Sequence, residues 1–323
     1  MREATPASSI AIAEQAAATH TRADLLNSKQ MAAFVDQGFH TMDGAVPAGL
    51  CADLCRDVRE GVYTPDWRHV PYQTPLDRHF HGTAMQRIIS LPAVRGMIAS
   101  LVGTDPLYDH HTAHILPGKT FGRLGAGNVH QDFTLDLRPF TFDINISIFP
   151  EEVSPDMGGT VLVPGSHFRR PLNNNLYRYQ TMKGMVHTAC PAGTVVAWHG
   201  NLWHAGGANR TEKDRVMFKL RLNPTVPQVR LWNTDDLAEL DPVAAFMNGH
   251  PWMGADHPFE FMHRARQWSF MTGSECDLTG YWTRLGIATG DDLADDRYRR
   301  STFRAGAQVL RASRGYREEP RSR

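Results

Sequence analysis

Asp143-Ile144-Asn145-Ile146-Ser147-Ile148-Phe149 is the stretch of the chain that most clearly indicates its fold class. Apolar and polar residues alternate strictly along it. Because successive side chains of a β-strand point to opposite faces, the isoleucines share one face, and Asp143, Asn145 and Ser147 share the other. The apolar face predicts packing against a core, while the polar face either lines a cavity or faces solvent.

Short runs of β-forming residues, punctuated by glycine and proline, surround this stretch after Gly103. Their number and spacing are typical of a jelly roll. We therefore predict a mainly β fold with flanking helices. The predicted strands lie near residues 107–115, 121–131, 140–149, 160–163, 185–189, 194–198 and 215–222.

Amphipathic helices are predicted before the strands. The apolar spacing of residues 31–35, followed by Gly38, indicates a first helix that ends at a glycine. Similar patterns over residues 50–58 and 92–101 indicate two more. These helices would cover one face of the sheet.

The chain divides into three predicted parts. Residues 1–26 have no periodic apolar face and are predicted to be disordered or frayed. Residues 27–227 form the predicted β domain with its N-terminal helices, and residues 228–323 form a helical C-terminal extension. Aromatic residues in the extension predict packing on the sheet or on a second subunit of a homodimer, with a lid over the pocket as the alternative. They are Trp252, Phe259, Phe261, Trp268 and Phe270.

Charge and composition favour a small-molecule partner. Lys and Arg (34) balance Asp and Glu (34), so no net field draws the protein to nucleic acid or to an anionic membrane. No apolar run approaches the about 20 residues of a membrane span. The N-terminus resembles a secretion signal only weakly because acidic residues interrupt it. We therefore expect a cytoplasmic enzyme, in which Cys51 and Cys55 are buried apolar positions rather than a metal or disulfide pair.

His130-Gln131-Asp132 is the stretch that indicates chemistry. On an extended segment, the side chains of His130 and Asp132 point to the same side. A second histidine, His204, is followed further along the chain by Arg215. Two histidines and one carboxylate leave three positions of a metal open, as in non-haem Fe(II) oxygenases, and the planar guanidinium of arginine suits a carboxylate.

Other histidines compete with His204. The main rival is His199, because it lies near the same predicted strand end. The remaining histidines in this part of the chain are predicted to be structural, since a histidine in a core is more often hydrogen bonded than bound to a metal. They are His110, His111, His114 and His187.

Four segments together carry a resemblance to a known family. They are His130-Gln131-Asp132, residues 157–167 (MGGTVLVPGSH), residues 192–204 (AGTVVAWHGNLWH) and residues 209–215, which begin Asn-Arg-Thr and end at Arg215. This set resembles the phytanoyl-CoA dioxygenase family of Fe(II)/2-oxoglutarate oxygenases. The resemblance spans roughly residues 30–224, and residues 34–39 are similar to the family's opening helix.

The resemblance implies a double-stranded β-helix whose Fe(II) is held by His130, Asp132 and His204. It also implies that 2-oxoglutarate chelates the iron, that its far carboxylate pairs with Arg215, and that O2 is the oxidant. The family's distal ligand is the histidine of a Leu-Trp-His segment, which favours His204 over His199.

The implied reaction is hydroxylation of an unactivated C–H bond of a small organic substrate, of secondary-metabolite or lipid and acyl type, with release of succinate and CO2. Related halogenases have a small residue in place of the carboxylate, so Asp132 favours hydroxylation over halogenation. Desaturation, epimerisation and cyclisation stay open. The alternative of a non-catalytic metal-binding jelly-roll protein is disfavoured by Arg215, because a simple metal site does not need a buried cation.

The chain departs from the family pattern at two positions. Many relatives carry a hydroxyl residue two positions after the distal histidine, where this chain has Gly206, and Thr211 or Asn145 are the predicted replacements in cosubstrate binding. Relatives often have a lysine before a Pro-Gly pair, where this chain has Leu116, and Lys119 is the candidate substitute.

Two further residues follow from these patterns. Strand alternation places Lys219 on the same face as Arg215 and Met217, which makes Lys219 a candidate for binding an anionic group of the substrate. The segment that ends in Pro-Gly-Ser-His167 resembles the family's turn signature, so His167 is predicted to be structural rather than a ligand.

Overall fold

The computed structural model describes residues 20–63, 74–120, 129–132, 138, 140–169, 181–246, 249–253 and 257–274. Within these residues the β-strands form one sheet of six strands and one of three.

The larger sheet is antiparallel throughout its described pairings. Its strands are β1 (Phe39–Met42), β2 (Thr74–Pro75), β3 (Leu107–Leu116), β4 (Ile144–Phe149), β7 (Thr194–His199) and β9 (Arg215–Asn223). They lie in the order β1-β7-β4-β9-β3-β2, so the two strands with the strongest apolar patterns, β4 and β9, are in the middle.

The smaller sheet contains β5 (Thr160–Leu162), β6 (Val186–His187) and β8 (His204–Gly206), in the order β6-β5-β8. An antiparallel bridge between His130 and His204 adds the segment around His130 beside β8. The predicted strand over residues 121–131 otherwise lies mostly outside the described residues.

The two sheets face each other across a shared interior. Phe149, Val196, Trp198 and Met217 of the larger sheet pack in one buried cluster with Leu162 of the smaller sheet. Two antiparallel sheets that enclose a common interior form the predicted double-stranded β-helix, so the predicted fold class is confirmed.

Strand β4 shows how the alternating sequence divides the two faces. Ile144, Ile146 and Ile148 belong to the main apolar core, which also contains the helices. Asn145 and Ser147 are 0% exposed and lie on the opposite, interior face. The polar face therefore lines the interior and not solvent.

Four helices precede or interleave with the larger sheet and cover its outer face. The first ends at Gly38, which has a left-handed φ of +85° and whose N–H donates to the carbonyl of Phe34, as its sequence predicted. Cys51 and Cys55 are buried, as predicted. The helices are α1 (Ser28–Gln37), α2 (Ala48–Arg59), α3 (Ala84–Ile89) and α4 (Pro92–Val102).

The described part of the C-terminal extension packs on this domain. Phe261 and Trp268 belong to the same apolar core as α1. The buried Arg264 lies 2.9 Å from Asp36, near the end of α1. The extension contains α5 (Pro242–Phe246) and α6 (His257–Thr272). The lid and the homodimer stay predictions.

Some predicted boundaries differ from the structure. The disorder predicted over residues 1–26 lies mostly outside the described part, which begins at residue 20. From there, Arg22–Asp24 form a 3-10 helix and Leu26 is buried. The sequence pattern predicts neither β1 nor α3, because each is too short to show a clear period. Among the described residues, no helix combines the length and apolarity that a membrane span requires.

Candidate active site

Three side chains of the types that bind divalent metals meet in the interior. Nε2 of His130 lies 3.5 Å from Oδ1 of Asp132, and Nε2 of His204 lies 3.6 Å from the same oxygen. The ligand atoms of all three residues are within 4.8 Å of one another. The structure therefore brings the sequence-predicted triad together, close enough for one ion to contact all three residues.

Local hydrogen bonds orient the triad. Nδ1–H of His204 donates to the carbonyl of Leu202 at 2.9 Å, which leaves the lone pair of Nε2 for a metal. Between the other two triad residues, the side chain of Gln131 donates to the carbonyls of Arg169 (2.8 Å) and Asn201 (2.9 Å). Because side chains alternate along this extended segment, Gln131 points toward two loops, whereas His130 and Asp132 point to the other side.

The second oxygen of the Asp132 carboxylate accepts hydrogen bonds from Asn145 and Lys219 and forms an ion pair with Arg221. Oδ2 lies 3.0 Å from Nδ2 of Asn145, 3.3 Å from Nζ of Lys219 and 3.1 Å from a terminal nitrogen of Arg221. Asn145 on β4 is directly opposite Arg221 on β9, so the sheet register brings these donors together.

The surroundings of Asp132 keep its carboxyl ionised. Burial alone would raise the pKa of Asp132. The attraction of His204, the hydrogen bond from His130 and the charges of Lys219 and Arg221 outweigh this effect, and the pKa lies well below its ordinary value. An ionised carboxylate is the form that a metal ion requires.

His114 on β3 is exposed and lies directly opposite Met217 of β9. Desolvation by the surrounding protein, followed by repulsion from Lys219 and Arg215, lowers the pKa of His114 to about 4, although attraction to Asp132 opposes this shift. The cations of β9 therefore disfavour the protonated form of His114.

Arg215 is a buried cation at the start of β9. One terminal nitrogen donates to the carbonyls of Met157 (2.7 Å) and Gly159 (3.1 Å), which fix the guanidinium. Its Nε is buried and has no hydrogen-bond partner among the described residues. Burial lowers the pKa of Arg215 to about 10, and within the described part of the chain no carboxylate forms an ion pair with it.

Strand pairing supplies hydroxyl groups near the position of Gly206. Thr160 on β5 lies directly opposite Gly206 on β8, so the two positions share a face of the smaller sheet. The hydroxyl of Thr160 lies 3.6 Å from the sulfur of Met217, and that of Ser147 lies 3.2 Å from the same atom. Thioether sulfur is a weak acceptor, so both hydroxyls can turn to a better one.

The residues predicted to replace the missing hydroxyl at Gly206 and the missing lysine at Leu116 lie in different surroundings. Asn145 reaches the site, but its amide donates to Asp132. Thr211 donates its hydroxyl to Asn209 within its own loop, and no contact joins it to the triad in the part of the chain that the structure describes. Lys119 is exposed and pairs with Glu212, so it does not replace the family lysine in the interior.

The rival histidines lie elsewhere. His199 accepts from the N–H of Asn201 and stacks on Phe142 with ring centroids 4.8 Å apart. His167 is buried, and its Nε2–H donates to the carbonyl of Val35 at 3.1 Å, as expected of a structural histidine. His111 stacks on Phe218 on the outer face. The geometry thus selects His204 over His199.

Sequence reasoning missed Arg221 and Thr160. Arg221 is in the same alternating series as Arg215 and Lys219, so continuing that series by one step would have found it. Thr160 has no such signal, because its relevance depends on its pairing opposite Gly206 on a strand distant in sequence.

A double-stranded β-helix with two histidines and one aspartate in its interior defines the class of mononuclear non-haem metal proteins that includes the 2-His-1-carboxylate oxygenases. The chain belongs to the phytanoyl-CoA dioxygenase (PhyH) family, whose model matches residues 34–217. The match covers β1 to the beginning of β9 and includes all three triad residues and Arg215.

Curated relatives share part of the chain. The uncharacterized proteins Mb1539 of Mycobacterium bovis and Rv1501 of Mycobacterium tuberculosis are each 34% identical over 133 residues, which is 40% of this chain and 47% of the relative. The aligned part thus spans about half the length of these relatives.

Solved structures also match part of the chain at low sequence identity. Apo HygX of Streptomyces hygroscopicus is 15% identical, with a TM-score of 0.47 over 62% of this chain and 87% of HygX. The alpha ketoglutarate dependent carbocyclase SnoK from nogalamycin biosynthesis is 18% identical, with a TM-score of 0.47 over 69% of this chain and 94% of SnoK. Similarities at this level do not identify a substrate or a reaction.

Proposed function

We propose that the protein is a non-haem Fe(II)/2-oxoglutarate-dependent dioxygenase. The observation that carries the proposal is the convergence of His130, Asp132 and His204 in an interior that also holds the buried cation Arg215. The donor set suits Fe(II), because two imidazoles and one carboxylate satisfy three positions and leave three open. The buried guanidinium, which forms no ion pair with any carboxylate among the described residues, suits the far carboxylate of a 2-oxo diacid.

His130, Asp132 and His204 hold the metal, each through one donor atom. Fe(II) supplies the one-electron and O2 chemistry that side chains lack, so that oxidative decarboxylation of 2-oxoglutarate to succinate and CO2 is coupled to oxidation of the substrate. The hydrogen bond to Leu202 keeps His204 in the tautomer that binds. The low pKa of Asp132 keeps its carboxylate available without a prior loss of a proton.

Arg215 binds the far carboxylate of 2-oxoglutarate. The carbonyls of Met157 and Gly159 hold the guanidinium in place before the ligand arrives, which reduces the entropy lost on binding. Thr160 supplies the hydroxyl that relatives place at the position of Gly206, because it faces that position across the strand pair. This assignment replaces Thr211, whose hydroxyl is engaged in its own loop.

The substrate is a small organic molecule, and hydroxylation of an unactivated C–H bond is the favoured outcome. Asp132 occupies the ligand position that halogenases leave for chloride, which favours hydroxylation over halogenation. Epimerisation, cyclisation and desaturation begin with the same loss of hydrogen from the substrate and are alternatives within the same class. The neutral overall charge and the protected interior fit a substrate of secondary-metabolite or lipid and acyl type.

Anaerobic addition of Fe(II) and 2-oxoglutarate tests the proposal. The expected result is a weak visible charge-transfer band, followed in air by succinate formation. Asp132→Ala should abolish both, whereas Asp156→Ala, an exposed aspartate on a loop, should leave both unchanged. A wild-type protein that binds Fe(II) but gives neither band nor succinate would instead be a non-catalytic metal-binding jelly-roll protein.

A further inference from the structure

The two oxygens of the Asp132 carboxylate have different surroundings. Oδ1 is the oxygen nearest to the two histidine nitrogens, at 3.5 and 3.6 Å. Oδ2 accepts hydrogen bonds from Asn145 (3.0 Å) and Lys219 (3.3 Å) and forms an ion pair with Arg221 (3.1 Å). Two of these three donors carry a positive charge, and charge-assisted hydrogen bonds are the stronger kind.

This division matters because an aspartate can bind a metal through one oxygen or through both. With six positions around the ion, two histidines and one carboxylate oxygen leave three open. A 2-oxo acid that chelates the metal takes two, and one position remains for O2. A carboxylate bound through both oxygens would occupy that last position.

We propose that Lys219 and Arg221, assisted by Asn145, are positioning residues that hold Oδ2 of Asp132 away from the metal, so that the carboxylate binds through Oδ1 alone and one position stays open. The inference rests on the proposed function and deepens it.

The positions of the two cations support this role. Arg221 is about one-tenth exposed at its side chain and also lies 3.7 Å from Asp109, so a second carboxylate fixes its guanidinium. Lys219 lies on the same strand, two residues earlier, with its side chain 16% exposed. Asn145 reaches Oδ2 from the neighbouring strand β4, so Oδ2 is held from two strands.

Nitric oxide is a suitable probe, because it occupies an open position of an Fe(II) site under anaerobic conditions and gives a characteristic electron paramagnetic resonance signal. Wild-type protein loaded with Fe(II) and 2-oxoglutarate should bind it. The double variant Lys219→Met, Arg221→Met should keep the charge-transfer band of the bound 2-oxoglutarate. Its affinity for nitric oxide should fall by about 10-fold, which corresponds to about 1.4 kcal/mol, because the second carboxylate oxygen would then compete for the open position.

Conservative and control variants separate positioning from folding. Lys219→Arg and Arg221→Lys keep a charged donor near Oδ2 and should retain most of the wild-type affinity for nitric oxide. Lys183→Met removes an exposed lysine that has no part in the site, and should bind nitric oxide as the wild type does. Near-ultraviolet circular dichroism verifies that each variant is folded.

The outcomes distinguish this inference from the proposed function. A wild-type protein without the charge-transfer band overturns the proposed function, and the inference with it. A wild-type protein with the band, together with a folded double variant that binds nitric oxide as tightly, overturns only the inference. Loss of iron from the folded double variant also overturns it, because the donors would then be needed for metal binding itself.

Discussion

The two faces of strand β9 are made from alternating residues of one segment, yet they have opposite character. The outer face is apolar and fully buried against the core that contains the helices: Val216, Phe218, Leu220 and Leu222 are each 0% exposed. The inner face carries three cations and one methionine: Arg215, Met217, Lys219 and Arg221. The same strand therefore presents an apolar packing surface on one side and a cationic surface on the other.

The difference separates stability from function. Burial of a large apolar side chain stabilises the fold by about 1.5 to 3 kcal/mol. A buried cation costs free energy unless it is hydrogen bonded or paired. The cations of the inner face thus add little to the stability of the sheet. Their presence fits better with a role in contacting carboxylates near a metal ion.

The largest expected effect comes from removing a proposed metal ligand, a change that leaves the outer face of β9 intact. His204→Ala should lower the affinity for Fe(II) by more than about 100-fold, since even changes behind a metal ligand cost 10- to 100-fold. Anaerobic titration with Fe(II) and 2-oxoglutarate, followed by the charge-transfer band, measures it.

His199→Ala is the matched control, because both histidines are buried and lie near the same strand end. It should retain the band, although loss of its stacking on Phe142 lowers stability. If His199→Ala lost the band and His204→Ala kept it, the assignment of the distal ligand would be reversed.

The next largest effect is expected on stability, from a substitution on the outer face of β9. Phe218 packs edge-on against Tyr63, with ring centroids 4.8 Å apart, and stacks on His111. Phe218→Ala should lower the free energy of unfolding by about 3 to 5 kcal/mol, as measured by urea denaturation. Lys219→Met, the adjacent position on the inner face, should cost less. Equal losses would show that the two faces do not divide stability from binding.

A smaller effect is expected on the affinity for 2-oxoglutarate, from a substitution on the inner face of β9. Arg215→Met should lower the affinity of the Fe(II)-loaded protein for 2-oxoglutarate by about 10- to 100-fold, because hydrogen bonds to charged groups contribute about 1.5 to 3 kcal/mol. Affinity for Fe(II) alone should change little. Titration of the charge-transfer band measures both quantities.

Arg215→Lys gives the matched comparison. It keeps the charge but loses the planar fork, so its affinity should fall between those of the wild type and Arg215→Met. An unchanged affinity in Arg215→Met would place the far carboxylate elsewhere, with Lys219 as the next candidate.

Local sequence patterns predicted the face of each strand residue. Period-two alternation identified which residues of β4 share its polar face, but it left open whether that face is inner or solvent-facing, and the structure shows that it is buried. The same alternation put Lys219 on one face of β9 with Arg215, in agreement with the contact of Lys219 with Asp132. The spacing of His130 and Asp132 predicted their shared side because it depends only on the extended backbone.

Pairing between distant strands could not be predicted in the same way. The contact of Asn145 with Asp132 and the position of Thr160 opposite Gly206 both depend on strand register, which many residues determine together. For this reason the sequence predicted Asn145 for the cosubstrate although its amide donates to Asp132, and it predicted Thr211 although Thr160 is the residue that pairs opposite Gly206.

The smallest effect is expected on the pH dependence of stability, and it involves His167, a histidine on neither face of β9. His167 is fully buried beneath α1, and burial, together with repulsion from His199, Arg264 and His250, holds its pKa well below the ordinary value. The unfolded chain takes up a proton at this histidine below about pH 6.5, whereas the folded protein does not. Stability should therefore fall as the pH drops through this range, by about 1.4 kcal/mol per pH unit for one such group.

Urea denaturation at pH 7.5, 6.5 and 5.5 measures this slope. His167→Gln should flatten it, since glutamine cannot take up a proton, while lowering stability at pH 7.5 through the weakened contact with Val35. His187→Gln, at an exposed position on β6, should leave the slope as it is in the wild type. If the free energy of unfolding of His167→Gln changed with pH as steeply as that of the wild type, other buried groups would be responsible for the acid sensitivity. Protonation of His167 beneath α1 would then not be what destabilises the fold.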